Sequence, residues 1–280
     1  MNELSEVVIS EEPRVLAPRP VDRQFRAYNV GIAKTGTRSM AGIFSQYRSL
    51  HEFLFPDTVR AIGERESGAM SEIKFREFVR WRDALTRLDM DSSSYNCSFT
   101  DVLVEEFPDA RLVFVIRDCY TWLDSMLNMC LFLGPLMTDW MVDYIGTFLG
   151  PGFEIDLSDR PDDLRAALPG MVDAGLRYWS TTNSFVLEHL PADRSLIVRT
   201  RELSQSLPSL AAFTGVPVDT LEPQLSRLNT GERKYHLLQV VDRDLLADLA
   251  AKHCSDLMRE FYPDATLPRF LQVDRSRQYG

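Results

Sequence analysis

Blocks of apolar and polar residues predict helices interleaved with short buried strands along this chain. Residues 25–32 form a largely apolar run, which is followed by a Gly- and Thr-rich turn. A helical pattern then begins, with apolar side chains at Met40, Ile43 and Phe44. The first part of the folded region is therefore predicted to be a strand, a loop and a helix.

A charged segment with helical periodicity lies between Phe53 and Leu88, and it ends at a Ser-rich turn, residues 91–94. A helix of this kind packs its apolar face against the core. Most of the apolar surface is predicted to come from Ile73, Phe75, Phe78, Trp81 and Leu85.

The clearest strand signal lies at Arg111 to Ile116, where a continuous apolar run follows the arginine. Such runs are typical of parallel strands covered on both faces, so this strand is predicted to lie inside the sheet. Shortly after it, Thr121 to Asp124 has the Ser/Thr-x-x-acid spacing that can cap a helix start. A second strand, loop and helix unit is predicted here.

Residues 134–169 break the pattern with glycines, prolines and acids, which predicts a lid or an insertion. Its aromatic residues include Trp140, Tyr144, Phe148 and Phe153.

The remaining elements, in chain order, are a helix over 172–190, a strand over 195–199, a helix over 207–213 and a helix over 242–261. Gly215 and Pro217 close the third of these. Helices that alternate with short buried strands indicate an α/β fold with a mainly parallel sheet flanked by helices. We expect one domain over residues 24–280, preceded by a loosely ordered arm, residues 1–23, that is rich in prolines and acids.

The composition excludes several classes of protein. The 280 residues, 45% of them hydrophobic, suffice for one sizeable core, and the net charge of -10 argues against a nucleic-acid partner. The N-terminus is acidic, unlike a signal peptide, and the most apolar stretch, residues 126–137, is too short to span a membrane. The four cysteines are scattered without metal-ligand spacing, so free thiols, a cytoplasmic location and no metal are expected.

Residues 31–39, Gly-Ile-Ala-Lys-Thr-Gly-Thr-Arg-Ser, lie between a predicted strand and a predicted helix, where exposed backbone N–H groups favour an anion. Gly36 lets the backbone approach a ligand, and Lys34 supplies a mobile charge. The side chains of Thr35, Thr37 and Ser39 offer hydroxyl donors. The usual P-loop places its lysine after the second glycine, whereas Lys34 precedes Gly36. A Thr- and Gly-rich helix start without a ligand is the alternative.

The order of residues in this loop resembles the 5'-phosphosulfate loop of the sulfotransferase family, whose donor is 3'-phosphoadenosine 5'-phosphosulfate (PAPS). The resemblance implies a P-loop-like sulfotransferase fold and a donor-binding role for Lys34, Thr35, Gly36, Thr37, Arg38 and Ser39. It also implies that Lys34 neutralises the bridging oxygen as it leaves.

A second segment, residues 115–125, is similar to the family signature that holds the 3'-phosphate of the donor. The resemblance assigns this task to Arg117, at the end of the buried strand, and to Ser125, eight residues later. A guanidinium binds phosphate through fork-like hydrogen bonds, which suits this role. The alternative is a surface ion pair between Arg117 and Asp118 or Asp124.

Three weaker matches follow. Residues 228–234 resemble the flexible basic loop that closes over the donor, which implies donor contacts for Arg233 and Lys234, although a solvated turn would look the same. Residues 200–203 and 210–217 resemble a Tyr-Glu-Asp-Leu segment and a short helix that ends in Phe-Leu-Gly-x-Pro. Together the similarities run from about Val30 to Lys234.

The proton acceptor is expected at His51-Glu52, in a run that resembles the segment carrying the base in carbohydrate-type sulfotransferases. We favour Glu52, with His51 second. A pair that caps or solvates a turn is the alternative. Asp91 and the serines at 92–94 could orient the acceptor, or could form a turn that bonds its own backbone.

The resemblance implies transfer of a sulfuryl group from PAPS to an acceptor hydroxyl. The aromatic stretch from Trp122 to Phe153 suggests a pocket for a hydrophobic small-molecule acceptor, and ordinary core packing is the alternative. Neither a membrane nor a nucleic-acid partner is expected. The sequence leaves a homo-oligomer open. Two rival functions also remain: an ATP-dependent small-molecule kinase with Asp91 near magnesium, and a catalytically silent nucleotide-binding protein.

Overall fold

A computed structural model of the protein describes residues 22–133, 161–228 and 237–266. Five parallel strands form one sheet in the order β2-β3-β1-β4-β5. The strands are β1 (Ala27–Asn29), β2 (Ser49–His51), β3 (Met90–Ser92), β4 (Arg111–Ile116) and β5 (Ser195–Arg199). The predicted α/β class with a parallel sheet is confirmed.

The helices of the described ranges connect and cover these strands. They are α1 (Thr37–Ile43), α2 (Phe55–Glu66), α3 (Glu72–Thr86), α4 (Thr100–Glu106), α5 (Cys119–Leu133), α6 (Pro161–His189), α7 (Leu207–Thr214) and α8 (Arg243–Phe261). A 3-10 turn at Ser94–Phe99 follows β3, and another at Thr200–Glu202 follows β5. None of the helices in these ranges combines the length and the apolarity that a membrane span requires.

The sheet separates two hydrophobic cores, and β4 contributes to both because successive side chains of a strand point to opposite faces. Leu112, Phe114 and Ile116 pack with the larger core, which contains side chains of α2 to α6 and of α8. Val113 and Val115 pack with the smaller core, to which α1 and α7 contribute. All five side chains are fully buried, as the continuous apolar run predicts for a strand inside the sheet.

The neighbouring strands β1 and β4 send their following helices to opposite faces of the sheet. Helix α1, which follows β1, packs in the smaller core, whereas α5, which follows β4, packs in the larger one. Ligands of open α/β sheets bind in the crevice that such a reversal creates at the carboxyl ends of the strands. The loop after β1 and Arg117 after β4 border this crevice.

The charged segment before β3 is helical, as its periodicity predicts. It forms two helices, α2 and α3, separated by Gly68 in a left-handed conformation (φ 75°), and the Ser71 side chain caps α3 by accepting from the Lys74 N–H. The sequence missed β2 and β3. Each has three residues, and β3 carries two polar side chains, so neither shows a hydrophobic run that marks a strand.

The predicted apolar face of α3 is partly wrong. Ile73, Trp81 and Leu85 are 71%, 50% and 54% exposed. The buried positions of the helix are Phe75, Val79 and Arg82, which lie three or four residues apart on one face. The sequence did not mark this face because a charged residue occupies one of its positions.

Two helix starts also differ from the predictions. Helix α5 begins at Cys119, where the Asp118 carboxylate accepts the Thr121 N–H at 2.9 Å, so Asp118 rather than Thr121 caps the helix. Helix α6 begins at Pro161, a favoured residue in a first turn, rather than at Val172. Residues 161–169 therefore belong to α6, while the rest of the predicted lid and residues 1–21 of the predicted arm lie outside the described residues.

Candidate active site

The loop after β1 is packed tightly against β4. A side chain at Gly31 would place its Cβ atom 2.5 Å from the Val115 carbonyl oxygen, so only glycine fits there. Gly36 has φ 112°, and Lys34 has φ 67°, which is uncommon for a residue other than glycine. Left-handed backbone at non-glycine positions persists only where surrounding contacts enforce it, and it concentrates at functional sites.

Side chains from three other elements hold three successive carbonyl oxygens of this loop. Trp122 Nε1 donates to Ala33 (2.8 Å), Arg117 Nη1 donates to Lys34 (3.0 Å) and Thr200 Oγ1 donates to Thr35 (2.6 Å). In a trans peptide the N–H of the next residue points away from the carbonyl. The three bonds therefore fix the direction of the amides of residues 34–36. The Thr35 N–H donates to the Ile32 carbonyl at 3.3 Å, so the amides of Lys34 and Gly36 are the candidates for binding an anion, as in a backbone nest.

Lys34 and Arg117 form a desolvated cationic pair at the crevice. Burial lowers the pKa of Lys34, and the Arg117 charge lowers it further. Burial also lowers the pKa of Arg117, while the charges of Asp118 and Asp124 act in the opposite direction. Two partly buried cations that disfavour each other's charge are a site for an anion, which would relieve both effects.

Hydrogen bonds within the protein orient Arg117 and its backbone. Its Nε donates to Thr121 Oγ1 at 3.0 Å, and its backbone carbonyl accepts from Trp179 Nε1 at 3.0 Å. The neighbouring acidic residues, Asp118 and Asp124, act on Arg117 through their charges.

The hydroxyl groups of the loop have protein partners. Thr35 Oγ1 donates to the Ile32 carbonyl at 2.7 Å, and Ser39 Oγ accepts the Leu228 N–H at 3.0 Å. Thr37 Oγ1 is hydrogen-bonded to His51 Nε2 at 3.0 Å, and the Arg38 side chain is exposed on α1. Any donor contacts of this segment therefore depend chiefly on backbone amides and on Lys34.

The other residues predicted to bind the donor lie further away in the chain. Ser125 is half-buried on α5, within the helix that Asp118 caps. Arg233 and Lys234 lie outside the described residues. Trp122, predicted to line an acceptor pocket, is instead fully buried in the larger core and supports the loop through its indole N–H.

His51 and Glu52 lie at the end of β2, on the same edge of the sheet. The two side chains approach each other, with His51 Nε2 3.6 Å from Glu52 Oε1, and Ser94 Oγ donates to Glu52 Oε1 at 2.7 Å. Both side chains remain about one quarter exposed. A held, partly exposed carboxylate beside an imidazole has the geometry of a proton acceptor.

A buried polar network lies beneath this pair. Arg82 Nη1 donates to Asp91 Oδ2 at 2.6 Å, and its Nη2 donates to Tyr95 Oη at 3.2 Å. The Tyr95 hydroxyl donates to the Phe53 carbonyl, and burial raises the pKa of Tyr95 to about 12. The network therefore holds the segment 52–54, in which Glu52 and Leu54 have φ 54° and 53°.

Short contacts join the two halves of the site. Ser92 Oγ, at the end of β3, donates to the Thr37 carbonyl at 2.6 Å and accepts from Asn29 Nδ2 at 2.9 Å. The charge of Glu52 raises the pKa of Lys34, so the carboxylate lies within electrostatic reach of the ammonium group. In the described ranges no three His, Cys, Asp or Glu side chains form a group suited to a metal ion.

The sequence did not single out the side chains that support the site. Thr200 lies in the segment 200–203, whose weak resemblance to the family helps to align the sequence but indicates no role. Trp122 is predicted to line a pocket, not to support the loop. Arg82 and Tyr95 carry no motif, because their role depends on contacts between α3, β3 and the segment after β2.

The chain matches a known protein family by its sequence. A sequence model described as a sulfotransferase domain matches residues 28–233. A search of curated proteins finds no match. The crystal structure of a sulfotransferase from Alicyclobacillus acidocaldarius is similar to this chain with a TM-score of 0.49 and 17% identity, over 90% of this chain and 97% of that one.

Proposed function

Because the chain belongs to the sulfotransferase family, we propose that it transfers a sulfuryl group from PAPS to a hydroxyl group of a small molecule and releases adenosine 3',5'-bisphosphate. The proposal rests on one observation above all. The 3.0 Å hydrogen bond from Arg117 to the Lys34 carbonyl brings two cationic segments to one crevice. A donor with a phosphosulfate and a separate 3'-phosphate requires two such groups.

On the donor side, the loop amides and Lys34 would receive the phosphosulfate, and Arg117 with Ser125 would receive the 3'-phosphate. Negative charge develops on the departing phosphate during transfer, and preorganised donors stabilise such charge most effectively where water is excluded. Half-buried Lys34, with its lowered pKa, is suited to that task because a bound anion favours its charged form. Arg233 and Lys234 are proposed to close over the donor.

On the acceptor side, Glu52 would take the proton from the attacking hydroxyl. Ser94 holds one oxygen of the carboxylate, and the other remains available to the acceptor because Glu52 is partly exposed. His51 is the second candidate, although its Nε2 is hydrogen-bonded to Thr37. Transfer by these groups needs in-line placement of the hydroxyl, and no metal enters the proposed mechanism.

The acceptor is proposed to be a small molecule of hydrophobic character, and the acidic net charge of -10 makes a nucleic-acid acceptor unsuitable. We propose that the protein acts in the cytoplasm, without a membrane partner. Self-association into a homo-oligomer is compatible with this proposal.

The kinase alternative is weakened by the position of Asp91. Its carboxylate accepts from Arg82 at 2.6 Å through one oxygen and from Ser93 at 2.6 Å through the other. The side chain is 6% exposed, so a magnesium ion would have to displace a buried ion pair. The loop also lacks the lysine after its last glycine that ATP-dependent P-loop enzymes use.

Thermal unfolding with two ligands tests the proposal. Adenosine 3',5'-bisphosphate at 100 times its dissociation constant should stabilise the fold by about 2.7 kcal/mol, and ATP with magnesium should not. Arg117→Lys keeps the positive charge but loses the paired N–H donors of the guanidinium, so it should weaken the stabilisation by the bisphosphate. Stabilisation by ATP with magnesium alone would contradict the proposal. Binding of the bisphosphate without transfer to any of a panel of alcohols, phenols and saccharides would favour the silent-binder alternative.

A further inference from the structure

The amino ends of three neighbouring strands bring four arginines to the edge of the sheet opposite the candidate active site. Arg23 and Arg26 precede β1, Arg87 precedes β3, and Arg111 is the first residue of β4. Ala27 of β1 pairs in register with Met90 and with Arg111. The parallel arrangement therefore gathers these side chains at one place.

The four arginines line a cavity of about 500 Å³. The other lining residues are Gln24, Phe25, Asp83, Ala84 and Asp109. Two carboxylates thus face four guanidinium groups, which leaves two positive charges in excess at the wall of the cavity. This local excess occurs in a chain whose net charge is -10.

The two carboxylates are already paired with Arg23 and Arg26. Asp83 accepts from Arg23 at 2.7 and 3.2 Å and from the Tyr28 hydroxyl at 2.6 Å, and its Oδ2 lies 3.5 Å from Arg26. Asp109 accepts from Arg26 at 2.8 Å. The acidic side chains of the cavity therefore pair with Arg23 and Arg26 and not with Arg87 or Arg111.

Arg87 and Arg111 have no ion pair or side-chain hydrogen bond within the part of the chain that the structure describes. The Nε atoms of Arg23 and Arg26 are buried and lack an acceptor, and the Arg23 side chain is only 10% exposed. A buried N–H without an acceptor is costly, because it has lost its water and gained no partner. The cavity thus presents unused donors as well as unbalanced charge.

We propose that this cavity binds an oxyanion, the phosphate or sulfate group of a small molecule. Guanidinium groups bind such tetrahedral anions through paired N–H donors. The anion would balance the excess charge and accept from Arg87 and Arg111. The site would be separate from the donor site, because β1 runs between the two edges of the sheet and the loop with Lys34 lies at its other end.

Isothermal titration calorimetry with inorganic pyrophosphate and inorganic sulfate tests the proposal, with sodium chloride holding the ionic strength constant. The titrations use the full chain carrying Lys34→Met and Arg117→Met, which disables the proposed donor crevice. Binding of either anion with a stoichiometry of one is expected there. Preference for pyrophosphate would indicate a phosphorylated ligand, and preference for sulfate a sulfated one.

Arg87→Gln and Arg111→Gln, added to that background, should each weaken the anion about tenfold, since each removes a charge-assisted hydrogen bond. Neither substitution breaks an ion pair, so the fold should persist, and the unfolding temperature checks this. Arg259→Gln, an equal change of charge on the exposed side of α8, should leave the affinity unchanged. Absence of binding, binding that survives both cavity substitutions, or an equal loss with Arg259→Gln would overturn the proposal. None of these outcomes depends on the identity of the sulfuryl donor.

Discussion

At the scale of single residues, Lys34 combines three unfavourable features: a left-handed backbone, partial burial and a nearby guanidinium. The folded state disfavours the charged lysine, so below its lowered pKa this side chain destabilises the ligand-free protein. The penalty disappears as the pH rises toward the ordinary pKa of lysine, where the unfolded chain also loses the proton. A residue that costs stability in this way is suited to a ligand rather than to the fold.

Lys34→Met should therefore lower the activity and raise the stability of the ligand-free protein. The variant keeps the aliphatic stem and removes the charge, so urea denaturation at neutral pH should show a more stable ligand-free fold. The difference from the unmodified protein should shrink as the pH approaches 10. Sulfuryl transfer should fall by about 100-fold or more, the usual cost of removing a group that stabilises developing charge. Full activity of the variant would contradict the role of Lys34.

Glu52→Gln and His51→Asn distinguish the two candidate bases. Glutamine keeps an oxygen for the Ser94 hydrogen bond but cannot accept a proton, so kcat should fall by about 100-fold or more while the donor KM is unchanged. His51→Asn should reduce kcat less. A larger fall in kcat with His51→Asn would identify His51 as the base. Near-normal kcat in both variants would show that neither residue is the base.

At the scale of elements, the segment after β2 shows how a candidate functional loop is held in an unfavourable conformation. Glu52 and Leu54 are left-handed, and the Phe53 carbonyl between them accepts from the Tyr95 hydroxyl and, at 3.4 Å, from Arg82. The supporting groups come from α3 and from the turn after β3. The position of Glu52 thus depends on a helix that does not itself reach the crevice.

Tyr95→Phe tests this support. Loss of the hydroxyl leaves the Phe53 carbonyl with a weaker partner, so the free energy of unfolding should fall by about 1–3 kcal/mol. We expect a lower kcat with an unchanged donor KM, because the acceptor half of the site loosens and the donor half does not. Tyr47→Phe is the control: Tyr47 packs in the smaller core and its hydroxyl is hydrogen-bonded to Thr220, so stability should change without a change in kcat. Equal kinetic effects of the two substitutions would argue against the supporting role.

The elements also differ in how well their sequences predict them. Strands β4 and β5 and helix α8 were predicted to within a residue, because each has a continuous run or a clear period and α8 begins at an Asp242 cap. Strands β2 and β3 could not be predicted in this way. They exist because their backbones pair with neighbours, with Ser49 in register with Met90 and Met90 with Ala27.

At the scale of the whole molecule, the order of the strands places the two segments proposed to bind the donor together, although 83 residues separate Lys34 from Arg117. The motifs at residues 31–39 and 115–125 were visible in the sequence, and so was the fold class that brings them to one edge. The supporting side chains were not visible. Arg82, Tyr95, Trp122 and Thr200 act through backbone carbonyls of other elements, and such contacts leave no local pattern.

The side-chain hydrogen bonds to the loop carbonyls affect how the sequence of such a site can change during evolution. The oxygens that accept hydrogen bonds from Trp122, Arg117 and Thr200 belong to the main chain, and every amino acid has one. Side-chain substitutions within the loop therefore need not change its backbone conformation, as long as the closely packed glycines remain. Loss of one of the three donor side chains, in contrast, removes the hydrogen bond to a loop carbonyl and allows the N–H of the next residue to change direction. A remote homologue should therefore be easier to recognise by an indole, a guanidinium and a hydroxyl group that donate to the loop carbonyls than by the amino-acid sequence of the loop.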